Sequence, residues 1–197
     1  MTKRKKGRNV KNESWQKESW NYLKESKNYV YAVALVFVAS SVLGFVFSSE
    51  LGFFDELLKE LIDKTEGLNA GEMIWFIFTN NVTSSFLALI LGVFLGIFSI
   101  FNSLFNGLLL GYVYFKASEV AGYGIFWKLV PHGIFELPAI FISLGLGVKF
   151  GMFLFAKDKK RTFIERLKKS MKVFVTIVLP LLVIAAVIEG LLIVYAG

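Results

Sequence analysis

Apolar residues in this chain fall in long blocks separated by short polar stretches. Blocks approaching the length needed to cross a hydrocarbon layer, about 20 residues, lie at roughly 29–47, 76–101, 103–117, 130–155 and 173–195. The third is the shortest, begins at a turn expected around Asn102-Ser103, and has a re-entrant hairpin as its alternative. Between the first two blocks, Phe53, Phe54, Leu57, Leu58, Leu61 and Ile62 recur every three or four residues, with Asp55, Glu56, Lys59, Glu60 and Asp63 between them. That spacing predicts an amphipathic helix within segment 48–72, lying on the membrane surface or against a partner. Segment 156–172 repeats the pattern in basic form through Phe163, Ile164, Leu167 and Met171, and its long cationic side chains suit lipid phosphates. The predicted fold is all-α: a polytopic transmembrane helix bundle of about five spans, one transmembrane domain over 29–197, preceded by a basic arm over 1–28.

Composition agrees. Of 197 residues, 55% are hydrophobic and 19% charged, with a mean hydropathy of +0.61, against about 25% charge in soluble domains. Where the charges sit matters more than their number. Residues 1–28 carry nine Lys/Arg against three acids, 149–172 nine against two, and 48–72 two against seven. Cytoplasmic segments of membrane proteins collect Lys and Arg, so the first two belong inside and the third is allowed outside. Five crossings from an inner N-terminus satisfy this, giving an N-in/C-out topology, whereas dropping the third block would put 149–172 outside. The net charge of +7 therefore points to the lipid bilayer as partner, and no nucleic acid is expected. The first apolar block starts only at Tyr29, after a long polar arm and with no small-residue cleavage site behind it, so the N-terminus does not read as a cleavable signal. Trp15, Trp20, Tyr22 and Trp127 suit the aromatic belts at the two interfaces. The chain has no cysteine, which excludes disulfides, thiolate metal sites and cysteine nucleophiles.

Three G-x-x-x-G pairs, Gly92/Gly96, Gly107/Gly111 and Gly147/Gly151, each put two glycines on one helix face and predict close backbone approach within a compact bundle. Ionisable groups inside apolar blocks need shelter. The fourth block opens Pro131-His132-Gly133-Ile134-Phe135-Glu136-Leu137-Pro138. Pro131 fits a first helical turn, His132 and Glu136 share a face, and Pro138 frees the Ile134 carbonyl. Counted from the outer ends of the fourth and fifth blocks, Glu136 and Glu189 lie at similar depth, about 9 Å in, and Asn80 and Asn81 approach from the same side. The expected polar site is Asn80, Asn81, His132, Glu136 and Glu189, and a hydrogen-bonded lock between helices is its plainest role. Asn102 and Asn106 are expected to cap the third helix.

These residues also carry a resemblance. The string from Pro131 to Ala139, the Phe78-x-Asn80-Asn81 element, Asn106-Gly107 with Gly111, and Ala185-Ala186-x-x-Glu189-Gly190 resemble the stage II sporulation protein M family of integral membrane proteins, over about 76–192. In spore formers the resemblance implies a subunit of a cell-wall-remodelling membrane complex whose hydrolytic work belongs to partner proteins. No catalytic residue is implied.

The chain is accordingly expected to be a non-enzymatic scaffold or subunit of a cell-envelope complex in the plasma membrane, a homo-oligomer (a dimer is the simplest assembly), with other membrane proteins as further partners. No cofactor and no metal are expected: His132 with two carboxylates supplies too few metal ligands, and no phosphate loop, nucleophile elbow or dinucleotide fingerprint is present. The alternative is a channel or transporter for a small solute or ion that uses the buried His/Glu site.

Overall fold

The computed structural model describes residues 14–122, 124 and 126–196, with the backbone alone for 126–132 and 196. Among the described residues there is no strand. Helix α1 (Trp15–Val46) spans 32 residues, about 48 Å at 1.5 Å per residue, so its polar first turns reach beyond a ~30 Å hydrocarbon layer. After a short 3₁₀ turn come α2 (Phe54–Thr65) and α3 (Ala70–Leu91). Asn69 and Glu72 form a capping box at the start of α3, with Glu72 N–H donating to Asn69 Oδ1 at 3.1 Å and Asn69 N–H to Glu72 Oε2 at 3.0 Å. Helices α4 (Ile97–Ala121) and α5 (Phe126–Gly151) follow, then α6 (Lys159–Val173), capped by Asp158. Helix α6 runs through a π-helical segment, Phe174–Val178, into α7 (Leu179–Ala196). The π segment has a chemical cause: Pro180 offers no N–H to the Thr176 carbonyl, and the backbone ladder widens immediately before it.

Five helical stretches are long and apolar enough to cross a membrane: Trp15–Val46, Ala70–Leu91, Ile97–Ala121, Gly133–Phe155 and the window within Lys159–Tyr195. Contacts fix their relative directions. Ser103 Oγ donates to the Val33 carbonyl at 2.7 Å, and Phe45 meets the rings of Tyr114 and Phe115, so α1 and α4 run parallel. Lys149 meets Ser26, and Phe141 packs on Phe37, so α5 is antiparallel to α1. Glycines let these backbones meet. A Cβ at Gly107 would strike Ser40 and the Phe37 carbonyl, one at Gly111 the backbone of Ser41 and Phe45, and one at Gly147 the Ala88 carbonyl. Helix α5 is central: it packs on α1, α3, α4, α6 and α7, and 56% of its apolar window is buried against 22–28% for the others.

Several boundaries differ from the sequence expectation. The break between the second and third spans lies at Gly92–Gly96, not at Asn102-Ser103. Leu95 and Gly96 take left-handed backbone there, with φ of 59° and 73°, and Ser99 Oγ closes the turn on the Ala88 carbonyl at 2.8 Å. Gly92 and Gly96 thus flank the turn and also meet α5, at Gly147 and Val148. Asn102 and Asn106 stand inside α4, where Asn106 Nδ2 donates to the Asn102 carbonyl at 2.9 Å, so neither caps the helix. The third span is one unbroken helix of 25 residues, not a hairpin. Helix α5 begins at Phe126, which puts Pro131 past its first turn, and it continues through Pro138.

Of the amphipathic α2, only Phe54 is buried, against Phe105 and Tyr112. Phe53, Leu57, Leu61 and Ile62 stay exposed. On its outer face Lys64 donates to Glu60 at 2.7 Å, and this hydrogen bond, followed by the lysine charge, holds the Glu60 carboxyl below its usual range.

Candidate functional site

Helices α3, α5 and α7 each bring one polar group to a common point. The Glu136 carboxyl of α5 has the Glu189 carboxyl of α7 and the Asn81 amide of α3 as its polar neighbours. Glu189 Oε2 is buried and has no hydrogen-bond partner among the described residues. The matched depth follows from the packing. Gly190 seats α7 directly against Ile74 at the start of α3, while Ala88 and Gly92 seat α3 against Gly147 of α5. The Gly92–Gly147 contact puts Asn81 and Glu136, each eleven residues away from it, at one level, and the Gly190–Ile74 contact brings Glu189 to Glu136 from the Ile74 side.

No lysine or arginine occurs in α3, in α7, or in α5 between Gly133 and Val148. The two carboxyls therefore have no such counter-charge on their own stretches of helix. Carboxyl oxygens in contact need a proton or a cation between them to offset their repulsion. An uncompensated charge in this setting would cost at least ~2.5–3.5 kcal/mol.

Of the five residues expected at the site, three converge. Asn80 is exposed and lies beside the cluster, its Nδ2 facing Asn81 Oδ1 at 3.4 Å. The side chain of His132 lies outside the described residues. Two surface cavities, of about 540 Å³ along α6 and about 240 Å³ between α3 and α7, have neither Glu136 nor Glu189 in their walls.

A second polar cluster, absent from the sequence reading, lies at the opposite end. Lys149 is buried at 9% exposure; its Nζ lies 3.0 Å from Ser26 Oγ, 3.7 Å from Glu25 and 3.8 Å from the centre of the Tyr22 ring. Arg166 of α6 donates to the Lys149 carbonyl, and Lys172 pairs with Glu18 at 2.6 Å. Tyr22 is thus a core residue at 4% exposure and not an interfacial anchor, whereas Trp15 and Trp20 are exposed at 63% and 53%. The signal was present in the buried stripe Ser19, Tyr22, Ser26, whose helical spacing in an otherwise charged arm marks a packed face. Both basic segments meet at this end of the bundle.

Asn81, Glu136 and Glu189 come from three separate sequence elements, and their convergence ties those elements into one constellation. The model of the family described as "Stage II sporulation protein M" matches residues 33–192. The chain belongs to the stage II sporulation protein M family. The matched region takes in the second half of α1 and runs on into α7, so it covers the bundle without the polar first turns of α1. The chain is also similar to an uncharacterised protein of Methanocaldococcus jannaschii, 28% identical over 181 residues, which cover 84% of this chain and 81% of that protein. No solved structure matches this family member.

Proposed function

We propose that the chain is a non-catalytic, multi-pass subunit of a cell-envelope complex in the plasma membrane, a homo-oligomer that serves as a scaffold for other membrane proteins. The observation that carries this reading is the meeting of Glu136 with Glu189 and Asn81 from three separate helices in the bundle. Buried polar contacts of this kind hold membrane helices in fixed relation, and a rigid bundle is what a scaffold requires. Family membership supports a membrane protein. The inner placement of the N-terminus rests on charge: both Lys/Arg-rich segments share one end of the bundle, and the acid-rich α2 follows the opposite end of α1.

A second reading, a channel or transporter for a small ion, is favoured by the unpaired Glu189 Oε2. One experiment separates the two. Glu136→Gln, Glu189→Gln and His132→Ala variants are purified, and detergent stability and liposome ion flux are measured side by side. The scaffold reading expects reduced stability in the glutamine variants and no flux above empty liposomes for the unaltered chain. Flux that disappears in variants of normal stability would replace it with transport. Three variants indistinguishable from the parent in both assays would remove the polar site from any role.

A further inference from the structure

Hydrocarbon offers an amide or a hydroxyl nothing to bond, so polar side chains of a spanning helix belong against protein or water. Helix α3 departs from this at its middle. Asn80 stands midway between Ala70 and Leu91 and is exposed, its Nδ2 meeting only the adjacent Asn81 Oδ1 at 3.4 Å. Thr83 and Ser84, one turn further on, are exposed as well. Thr79 returns its hydroxyl to the Trp75 carbonyl at 2.8 Å, but Thr83 and Ser84 make no such bond among the described residues.

These groups belong to a pattern. Phe76, Asn80, Thr83, Leu87 and Ile90 follow one another at alternating steps of four and three, the spacing by which one helix keeps a seam against a parallel partner. The seam is turned away from the rest of the chain, because α5 is met through Asn81, Ala88 and Gly92 and α7 through Ile74, on the other side of α3. Leu87 is 48% exposed within it. Neither of the two surface cavities has Asn80, Thr83 or Ser84 in its wall, and bulky apolar side chains bound the polar band above and below. That is the build of a face for another helix and not of a water-filled pocket.

We infer that this face of α3 is the contact between two copies of the chain, closed by hydrogen bonds from Asn80 and Thr83 to the same residues of the second copy, with Ser84 at its margin. Depth selects a second copy over a different protein. Two copies inserted in the same orientation form a closed pair about a two-fold axis along the membrane normal, which sets each residue level with its own counterpart. The polar band thus meets a polar band, and since amides and hydroxyls both donate and accept, each can pair with its own kind. Charge permits the approach, because no Asp, Glu, Lys or Arg occurs between Glu72 and Lys116. An Asn within an apolar seam also fixes register and the number of helices that join. The inference rests on the homo-oligomer reading and assigns it a surface.

The test uses single cysteines in the otherwise cysteine-free full-length chain. Thr83→Cys and Leu87→Cys lie on the seam; Leu35→Cys on α1 and Val187→Cys on α7 are exposed controls. Each is oxidised with copper phenanthroline in native membranes, and the covalent dimer is read on a non-reducing gel. Both seam positions are expected to cross-link at least tenfold faster than either control. Energy transfer between donor- and acceptor-labelled Leu35→Cys chains in liposomes measures association itself. Asn80→Ala gives up only the contact with Asn81, so it should fold, and it should weaken association about tenfold, with Asn80→Gln restoring most of it. Energy transfer with cross-linking at Leu35 or Val187 and none at the seam overturns the inference and leaves the homo-oligomer standing. Absence of energy transfer overturns both. Association of Asn80→Ala at parental strength overturns the inference, and so does modification of Thr83→Cys in intact liposomes by a membrane-impermeant maleimide, which would show water, not a second chain, over the band.

Discussion

The same substitution at two glycines should have opposite effects. Gly111→Ala places a Cβ against the Ser41 carbonyl, 2.7 Å from Phe45 N and 2.9 Å from Ser41 C, inside the 3.0 Å that real Cβ contacts respect. All three atoms are backbone, so no rotamer change gives relief, and α4 must move away from α1 by about 1 Å. A gap of that size forfeits a quarter to a half of the dispersion attraction along the seam. It also stretches the Ser103–Val33 hydrogen bond from 2.7 Å beyond range, a loss of about 1 kcal/mol. Overpacking of this kind costs about 1–3 kcal/mol, and the gain in helix propensity over glycine returns about 1 kcal/mol. The net expectation is a loss of about 1–3 kcal/mol. Gly133→Ala meets only Leu137 side-chain carbons, the nearer at 3.5 Å, an ordinary contact, so the propensity gain of up to about 1 kcal/mol stands alone. Both are read by reversible unfolding in mixed micelles with increasing SDS. A Gly111→Ala variant as stable as the parent would refute the close α1–α4 approach and the parallel pairing built on it.

Three further outcomes are expected. Lys149→Met should lower stability by about 1–3 kcal/mol in the same assay, since it leaves Ser26 without its cationic partner and removes the contact with the Tyr22 ring; an unchanged midpoint would show the inner cluster to be inert. Tyr112→Phe removes the hydroxyl that donates to Asp55 at 2.5 Å, so amide exchange in α2 should accelerate severalfold while α4 is unaffected. Because the chain has no cysteine, a single thiol at Leu57 or at Lys160 reports its own side of the bilayer. A membrane-impermeant maleimide added to intact cells should label the first and spare the second, and the reverse pattern would invert the topology.

The spans were legible because membrane insertion is governed by runs of apolar residues, which a linear reading captures. The meeting of Glu136 with Glu189 was legible for a related reason: both were counted from the ends of antiparallel spans, and depth is a one-dimensional quantity. The Gly92–Gly96 break was not. Their spacing reads as helix packing, and nothing in the sequence marks that Leu95 and Gly96 take left-handed backbone to reverse the chain. Lys149 was read as one more member of a basic segment because its burial depends on α1 crossing α5 at Ser26, a contact between residues 123 positions apart.

The central place of α5 bears on how the chain is made. Its neighbours α1, α3 and α4 leave the ribosome before it, and each buries only 22–28% of its apolar window even with the fourth span in the middle. Synthesis stalled or cut short ahead of Phe126 would therefore leave a set of inserted helices without their keystone, a natural substrate for membrane quality control, and the part of the molecule made last decides whether the rest survives.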